Sequence, residues 1–355
     1  MTATGQQRSF RLTQFAAPLQ EMLEPTPVPT GTEVLLAVRA CGVCHSDIHI
    51  AEGHFDLGGG QKMDLSKGIA LPRTLGHEIA GTVVAAGPEA EGVAPGDERV
   101  VFPWIGCGTC SLCLRGEEHL CPQTQTLGTT RDGGFSTYVL VPHPRYLFDT
   151  SPLPLSFAAT LACSGLTAYS ALGKAGTVSE QDPVLIIGAG GVGLAAVSIA
   201  RARFGVGPVV ADIDPAKRAA ALEAGASAAL DPNDKDARKA LLKSTGGGVA
   251  AVVDFVGAQA TVEYGLSVVR KGGRVIVVGL FGGAVTLPIP TLPLRAISVA
   301  GSYVGSLAEM TELVALARTG ALRPMPIETR PLDAVQATLD DLRAGRIRGR
   351  AVLVD

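Results

Sequence analysis

The run Pro183-Val184-Leu185-Ile186-Ile187-Gly188-Ala189-Gly190-Gly191-Val192-Gly193 decides how this chain folds. Its first half is a short, unbroken apolar strand. Its second half fits G-x-G-x-x-G and opens a helix of small residues over 192–204. A glycine turn alone is a weak signal; between a strand and a helix it has the context that dinucleotide binding requires. The first glycine permits the tight turn, the second lets the backbone approach a pyrophosphate, and the third brings helix and sheet together. The helix N-terminus offers free N–H groups and a partial positive charge to the phosphates. Asp212 follows Gly193 by 19 residues, at the end of the next apolar strand. A carboxylate there accepts hydrogen bonds from the adenosine ribose and repels a 2′-phosphate, favouring NAD over NADP. Its plainer role is a helix cap. Lys217 touches the same ribose or is a solvated helix lysine.

Working outward, apolar strands at 209–212, 251–254, 274–278 and 298–300 alternate with helical segments. That alternation predicts a parallel sheet covered on both faces, an α/β arrangement. Residues before about 160 read differently: short β-branched runs at 34–38 and 81–84, punctuated by glycine and proline, predict a β domain with long loops. After 302 come two amphipathic helices, 307–318 and 332–344, and a terminal strand at 350–354. A chain of 355 residues exceeds one hydrophobic core. The expected organisation is 1–160, 161–301 as the dinucleotide domain, and 302–355 closing the chain.

Thirty basic and 33 acidic residues are well mixed, for a net charge of -3. With no charge run, nucleic acid and membrane surfaces are disfavoured as partners. Residues 1–10 are polar, unlike a secretory signal, and no unbroken apolar run approaches the roughly 18 residues of a membrane span. The cytoplasm is the expected compartment. There, seven cysteines point to metal or catalysis before disulfides.

Cys107, Cys110, Cys113 and Cys121 form C-x2-C-x2-C-x7-C inside a lobe at 104–122. Four thiolates this close can surround zinc as a closed structural site. Paired disulfides conflict with a reducing compartment, and an iron–sulfur cluster is the rarer reading of this spacing. Cys41-Gly42-Val43-Cys44-His45 contains a second C-x-x-C, open to a thioredoxin-type redox reading, with no helix pattern beside it. Gly76-His77-Glu78 adds an imidazole and a carboxylate, and Cys163 precedes the dinucleotide domain.

Taken together, C-G-V-C-H-S-D at 41–47, G-H-E at 76–78, the four-cysteine lobe, Cys163 and the glycine turn resemble the zinc-dependent alcohol dehydrogenases of the medium-chain dehydrogenase/reductase superfamily. The resemblance spans nearly the whole chain. It implies a GroES-like catalytic domain with an inserted Rossmann domain, two zinc ions per chain, NAD, an alcohol or aldehyde substrate, and a homodimer or homotetramer. Carried over residue by residue, it implies catalytic zinc ligands Cys44, His77 and Cys163, with Glu78 behind the metal as an alternate ligand. Asp47 would hold the His77 ring, and Ser46 and His49 would carry the substrate's proton. His45 and Arg350 would lie near the pyrophosphate, and Val278 joins Gly188, Gly190, Gly191, Val192, Gly193, Asp212 and Lys217 as a coenzyme contact. Cys41 reads as a small buried hydrophobe.

One segment departs from the pattern. Cys44 and His77 are 33 residues apart, more than in many relatives, and the excess falls in 55–72. That loop is a neutral insertion or a pocket wall or oligomer contact. Phe55 and Trp104 are candidate pocket liners, although Trp104 could equally pack beneath the lobe. A polyol dehydrogenase or aldehyde reductase of the same superfamily is the neighbouring reading; an inactive binding protein retaining the fold is the distant one.

Overall fold

The computed structural model describes residues 5–176 and 178–355. Six parallel strands form one sheet in the order Ala228–Leu230, Val209–Ala211, Val184–Ile187, Val249–Asp254, Val269–Val277, Ser298–Gly301. The chain winds outward from Val184–Ile187, then returns to its other side at Val249–Asp254. This reversal leaves a crevice at the strands' carboxyl ends, where doubly wound sheets bind ligands. Val184–Ile187 is buried at all four positions, which is why it reads as an unbroken apolar run.

The second sheet has seven strands. Leu147–Asp149, Glu98–Val101, Glu78–Ala86, Val34–Gly42, Arg350–Val354 and Ile327–Pro331 follow one another, and Tyr138–Val141 also pairs with Val34–Gly42. The C-terminal strand therefore lies beside Val34–Gly42, with Val352 opposite Gly42 and Leu353 opposite Cys41. On the other side of the same strand, Gly42 faces Glu78. Three segments far apart in sequence thus meet at one end of the sheet.

Between the sheets runs a continuous helical segment, Leu155–Ala175. By length and composition it could cross a membrane, but 83% of its most apolar window is buried inside the protein. It is a core helix. Leu161–Gly165 within it is a π-helical turn, an insertion that recurs at functional sites.

Two expectations need correcting. A helix, His45–Glu52, starts immediately after the second C-x-x-C, where none was anticipated. Its start is fixed locally: Cys44 is extended and Asp47 Oδ2 accepts the Cys44 N–H at 2.8 Å. Burial of Ile48 and Ile50 then outweighs their modest helix propensity. The final amphipathic segment is shorter and broken, a 3₁₀ turn at Leu332–Ala334 followed by the helix Val335–Arg343. The other, Leu307–Arg318, begins at a reciprocal Ser306–Glu309 cap. The 55–72 insertion contains a hairpin, His54–Gly58 paired with Gln61–Asp64.

Candidate active site

Cys44 leaves the end of Val34–Gly42, His77 precedes the strand Glu78–Ala86, and Cys163 comes from the π-turn. All three are buried, and one ligand atom from each lies within 4.8 Å of the others. His77 Nδ1 is 3.3 Å from Asp47 Oδ1, so a ring proton held there leaves Nε2 free to coordinate. Asp47 has no exposed surface and also accepts the N–H of Gly76 at 3.2 Å. It thus fixes both loops that carry ligands. A hydrogen bond with Cys163 holds the Cys44 thiol well below its usual range, and the same bond, with burial, raises Cys163. Two sulfurs and one imidazole fit a tetrahedral zinc with one open position.

Ser46 Oγ is 3.7 Å from Cys44 Sγ, at the edge of this cluster. His45 and His49 project from the same short helix. The His45 ring lies 5.7 Å from Phe281 of the parallel-sheet unit, and the His49 ring 5.0 Å from Phe55 of the hairpin. Cys41 points elsewhere. It is wholly buried, its thiol donates weakly to Gly42 O, and burial raises its pKa. It behaves as the small hydrophobe expected, and the redox pair is not assembled.

Glu78 and Arg350 depart from their simplest expectations. Arg350 is only 4% exposed and turns inward onto Glu78. Its Nε donates to Glu78 Oε2 at 2.8 Å, and Nη2 bonds Oε1. Ser164 N–H donates to Oε1 at 3.1 Å. Burial raises the Glu78 pKa and the guanidinium opposes that rise. The carboxylate is therefore held back from the three-ligand cluster, and the arginine is committed to it. A Cβ added to Gly191 would still lie 3.6 Å from Arg350 Nη1. The guanidinium thus sits between the carboxylate and the glycine turn. The crowding explains Gly42: a Cβ there would meet Glu78 Oε2 at 2.0 Å.

The four-cysteine lobe is assembled. Its sulfurs approach at 3.5 Å (Cys110–Cys113), 3.8 Å (Cys110–Cys121) and 3.9 Å (Cys107–Cys113). Zinc–sulfur bonds of about 2.3 Å in a tetrahedron give edges of about 3.8 Å, so the spacing fits. Backbone N–H groups of Cys107, Cys110, Cys113 and Gln123 point at these sulfurs. Hydrogen bonds from Thr109 lower Cys107 to about 6, while burial lifts Cys113 to about 12. Sequence reasoning missed the support beneath: buried Glu118 accepts from Tyr146 Oη at 2.8 Å and from Arg145, and its Cβ would clash with any side chain on Gly106.

At the dinucleotide turn, Gly188 has φ +90° and a Cβ on Gly193 would sit 1.9 Å from Gly188 O. Gly190, by contrast, faces open space. The first and third glycines serve the turn and the packing; the second leaves room for a pyrophosphate. Asp212 Oδ2 accepts the Ala189 N–H at 2.8 Å and Oδ1 that of Asp214 at 2.9 Å, so this acid also braces the turn. Lys217 is half-buried, and Val278 follows the end of the strand Val269–Val277.

A further feature had no signal in the sequence. Val304 has φ +37°, a strained conformation for a β-branched residue. It adjoins Tyr303, half exposed, whose phenol lies near Cys163 and the Trp104 indole. Trp104 is itself buried, its ring 6.5 Å from His77. It stands beside the metal cluster, in a two-residue strand that leads into the lobe.

Comparison with known proteins agrees with this geometry. Residues 30–151 match the alcohol dehydrogenase GroES-like domain and residues 191–319 the zinc-binding dehydrogenase domain. An NAD-dependent alcohol dehydrogenase of Sulfurisphaera tokodaii is 36% identical over 98% of this chain and 99% of its own. Among solved structures, an alcohol dehydrogenase from Aeropyrum pernix superposes with TM-score 0.86 at 32% identity, over 98% of this chain and 100% of that one. The D-arabinose dehydrogenase of Sulfolobus solfataricus does so with TM-score 0.84 at 29% identity, over 99% and 100%. The chain belongs to the zinc-dependent alcohol dehydrogenases of the medium-chain dehydrogenase/reductase superfamily. It is an oxidoreductase that passes hydride between an alcohol carbon and NAD, with zinc as its metal cofactor.

Proposed function

We propose that the substrates are apolar primary or secondary alcohols, or their carbonyl products, bound between Trp104 and the Cys44–His77–Cys163 cluster. The observation carrying this reading is that cluster: two thiols and an imidazole, all buried and close enough to hold one metal ion, with the Trp104 ring 6.5 Å from His77. Zinc held there supplies a Lewis acid that polarises the substrate oxygen and favours its deprotonation. Cys44, His77 and Cys163 hold the ion and Asp47 orients His77. Ser46 takes the substrate's proton into hydrogen bonding, and His49 passes it outward. Glu78, clamped by Arg350, balances charge behind the ligands. Gly188, Gly190, Gly191, Val192, Gly193 and Asp212 cradle the coenzyme, with His45, Lys217, Val278 and Arg350 at its edges. Cys107, Cys110, Cys113 and Cys121 hold the second zinc.

The same reading divides the chain into 1–160, 161–301 and 302–355, supported by the return of Ile327–Pro331 and Arg350–Val354 to the N-terminal sheet. It makes the protein a cytoplasmic homo-oligomer. Seven free cysteines suit a reducing compartment, and the edge strand Ser298–Gly301 exposes all four residues. The test is a panel of aliphatic, aromatic, polyol and sugar alcohols with NAD, followed by NADH absorbance, alongside metal analysis. Two zinc ions per chain and fastest turnover of apolar alcohols are expected. A preference for polyols, or fewer than two zinc ions, overturns the reading.

A further inference from the structure

The hairpin at 54–64 reaches the coenzyme-binding unit. A Cβ built on Gly58 would lie 2.6 Å from the backbone of Gly283, and one on Gly282 would lie 2.5 Å from Asp56 O. Both glycines adopt positive φ, +81° and +98°, so two bare backbones meet where no side chain fits. The hairpin base is closed by the Leu65 N–H donating to Gly53 O at 2.9 Å, and Gly53 caps the helix His45–Glu52 of the catalytic unit. On the far side, Phe281 N and Gly282 N donate to Val256 O and Gly257 O at 3.2 and 3.0 Å. Val256 in turn packs against Gly188, where a Cβ would meet its Cγ2 at 2.7 Å. A continuous chain of contacts thus runs from the hairpin tip to the first glycine of the phosphate-binding turn. Nearby, Phe55 lies on His49 and Phe281 faces His45 across the same gap.

We propose that this hairpin is a coenzyme clasp: its backbone contact with 282–283 holds the two units together over bound NAD(H) and sets the rate at which NADH leaves. The hairpin is the segment that makes the Cys44–His77 spacing long, so the insertion is a working part of the site. Coenzyme release requires the units to part, and parting requires the Gly58–Gly283 contact to break. The inference rests on coenzyme binding at the glycine turn and not on the identity of the alcohol.

Two matched variants of the full-length zinc enzyme test it. Gly58→Asn and Gly59→Asn make the same change at adjacent left-handed positions, φ +81° and +61°. Only the first places a Cβ against the coenzyme unit; the second faces open space. Stopped-flow fluorescence should show NADH leaving Gly58→Asn about fivefold faster, with a matching rise in Kd, while Gly59→Asn behaves like the parent. Zinc content should be unchanged in both. Equal acceleration in the two, or parental release from Gly58→Asn, overturns the clasp. Should Gly58→Asn fail to fold, hydrogen exchange on the unmodified enzyme decides. NADH should slow exchange in both 54–64 and 280–284, and protection of 280–284 alone overturns the proposal. Because NADH binding is read directly, loss of the alcohol assignment would leave this result standing.

Discussion

His49 lies on the first helix after the metal ligand, packed on Phe55 and partly withdrawn from water. That burial lowers its pKa below the ordinary 6.5. Alcohol oxidation releases a proton, and only neutral imidazole can accept it. The depressed pKa keeps His49 neutral further into acid, so the acid limb of kcat should fall below the usual histidine range. His49→Gln should lose that limb and slow oxidation about tenfold at neutral pH, with NADH affinity and zinc retained; an unchanged pH profile would rule out the relay. Asp212 carries a separate expectation. Its carboxylate braces the Ala189 N–H, and the proposed coenzyme site sets it against the adenosine ribose. Asp212→Gly should reduce the preference for NAD over NADP by about tenfold, equivalent to about 1.4 kcal/mol. Steady-state kcat/KM with each coenzyme measures the ratio, and preserved discrimination would assign selectivity elsewhere.

Elements differ in how much of themselves they write into sequence. The helix Gly191–Phe204 and strand Val184–Ile187 were legible because their glycines and buried aliphatics are dictated by local geometry. Helix Leu307–Arg318 was legible to its ends through its apolar spacing, and the Ser306–Glu309 cap accounts for where it starts. The grouping of Cys44, His77 and Cys163 was legible through family motifs; composition alone would not join Cys163 to Cys44. The π-turn at Leu161–Gly165 was not readable, because apolar residues buried on every side show no period to distinguish it from an α-helix. Neither was the Glu78–Arg350 pair, which depends on strands brought together from opposite ends of the chain. The lobe gives this scale its prediction. Trp104, the only tryptophan, sits in a two-residue strand that runs straight into Cys107. Phe102 bridges it to Tyr146, which donates to Glu118 beneath the cysteines. Cys113→Ser should therefore release one zinc per chain, lower the Tm, and shift Trp104 emission to the red as the strand loosens. Loss of zinc with unaltered emission would show that lobe and pocket are mechanically separate.

At the scale of the molecule, the two large sheets are joined through the Leu155–Ala175 helix, and Ser298–Gly301 forms one edge of the six-stranded sheet. Ser298–Gly301 has a neighbour on one side only, and all four of its residues are exposed. Leu294, Ile289 and Phe281 also stand in solvent, Ile289 at 79% exposure and Leu294 at 72%. An uncharged, unprotected edge flanked by apolar side chains is a pairing surface; proteins that keep such an edge single usually place charge, proline or a bulge on it. On the homo-oligomer reading proposed above, a second copy offering the same strand would satisfy the unpaired backbone groups and cover the apolar patch about a twofold axis, the commonest symmetry of soluble oligomers. Sedimentation should accordingly give a multiple of the 36.4 kDa chain. Val299→Asp would place facing carboxylates near the twofold axis, and should shift the protein toward a single chain while leaving the zinc sites filled. A parent protein that sediments as a single chain, or a Val299→Asp variant that remains fully associated, would move the contact away from this edge.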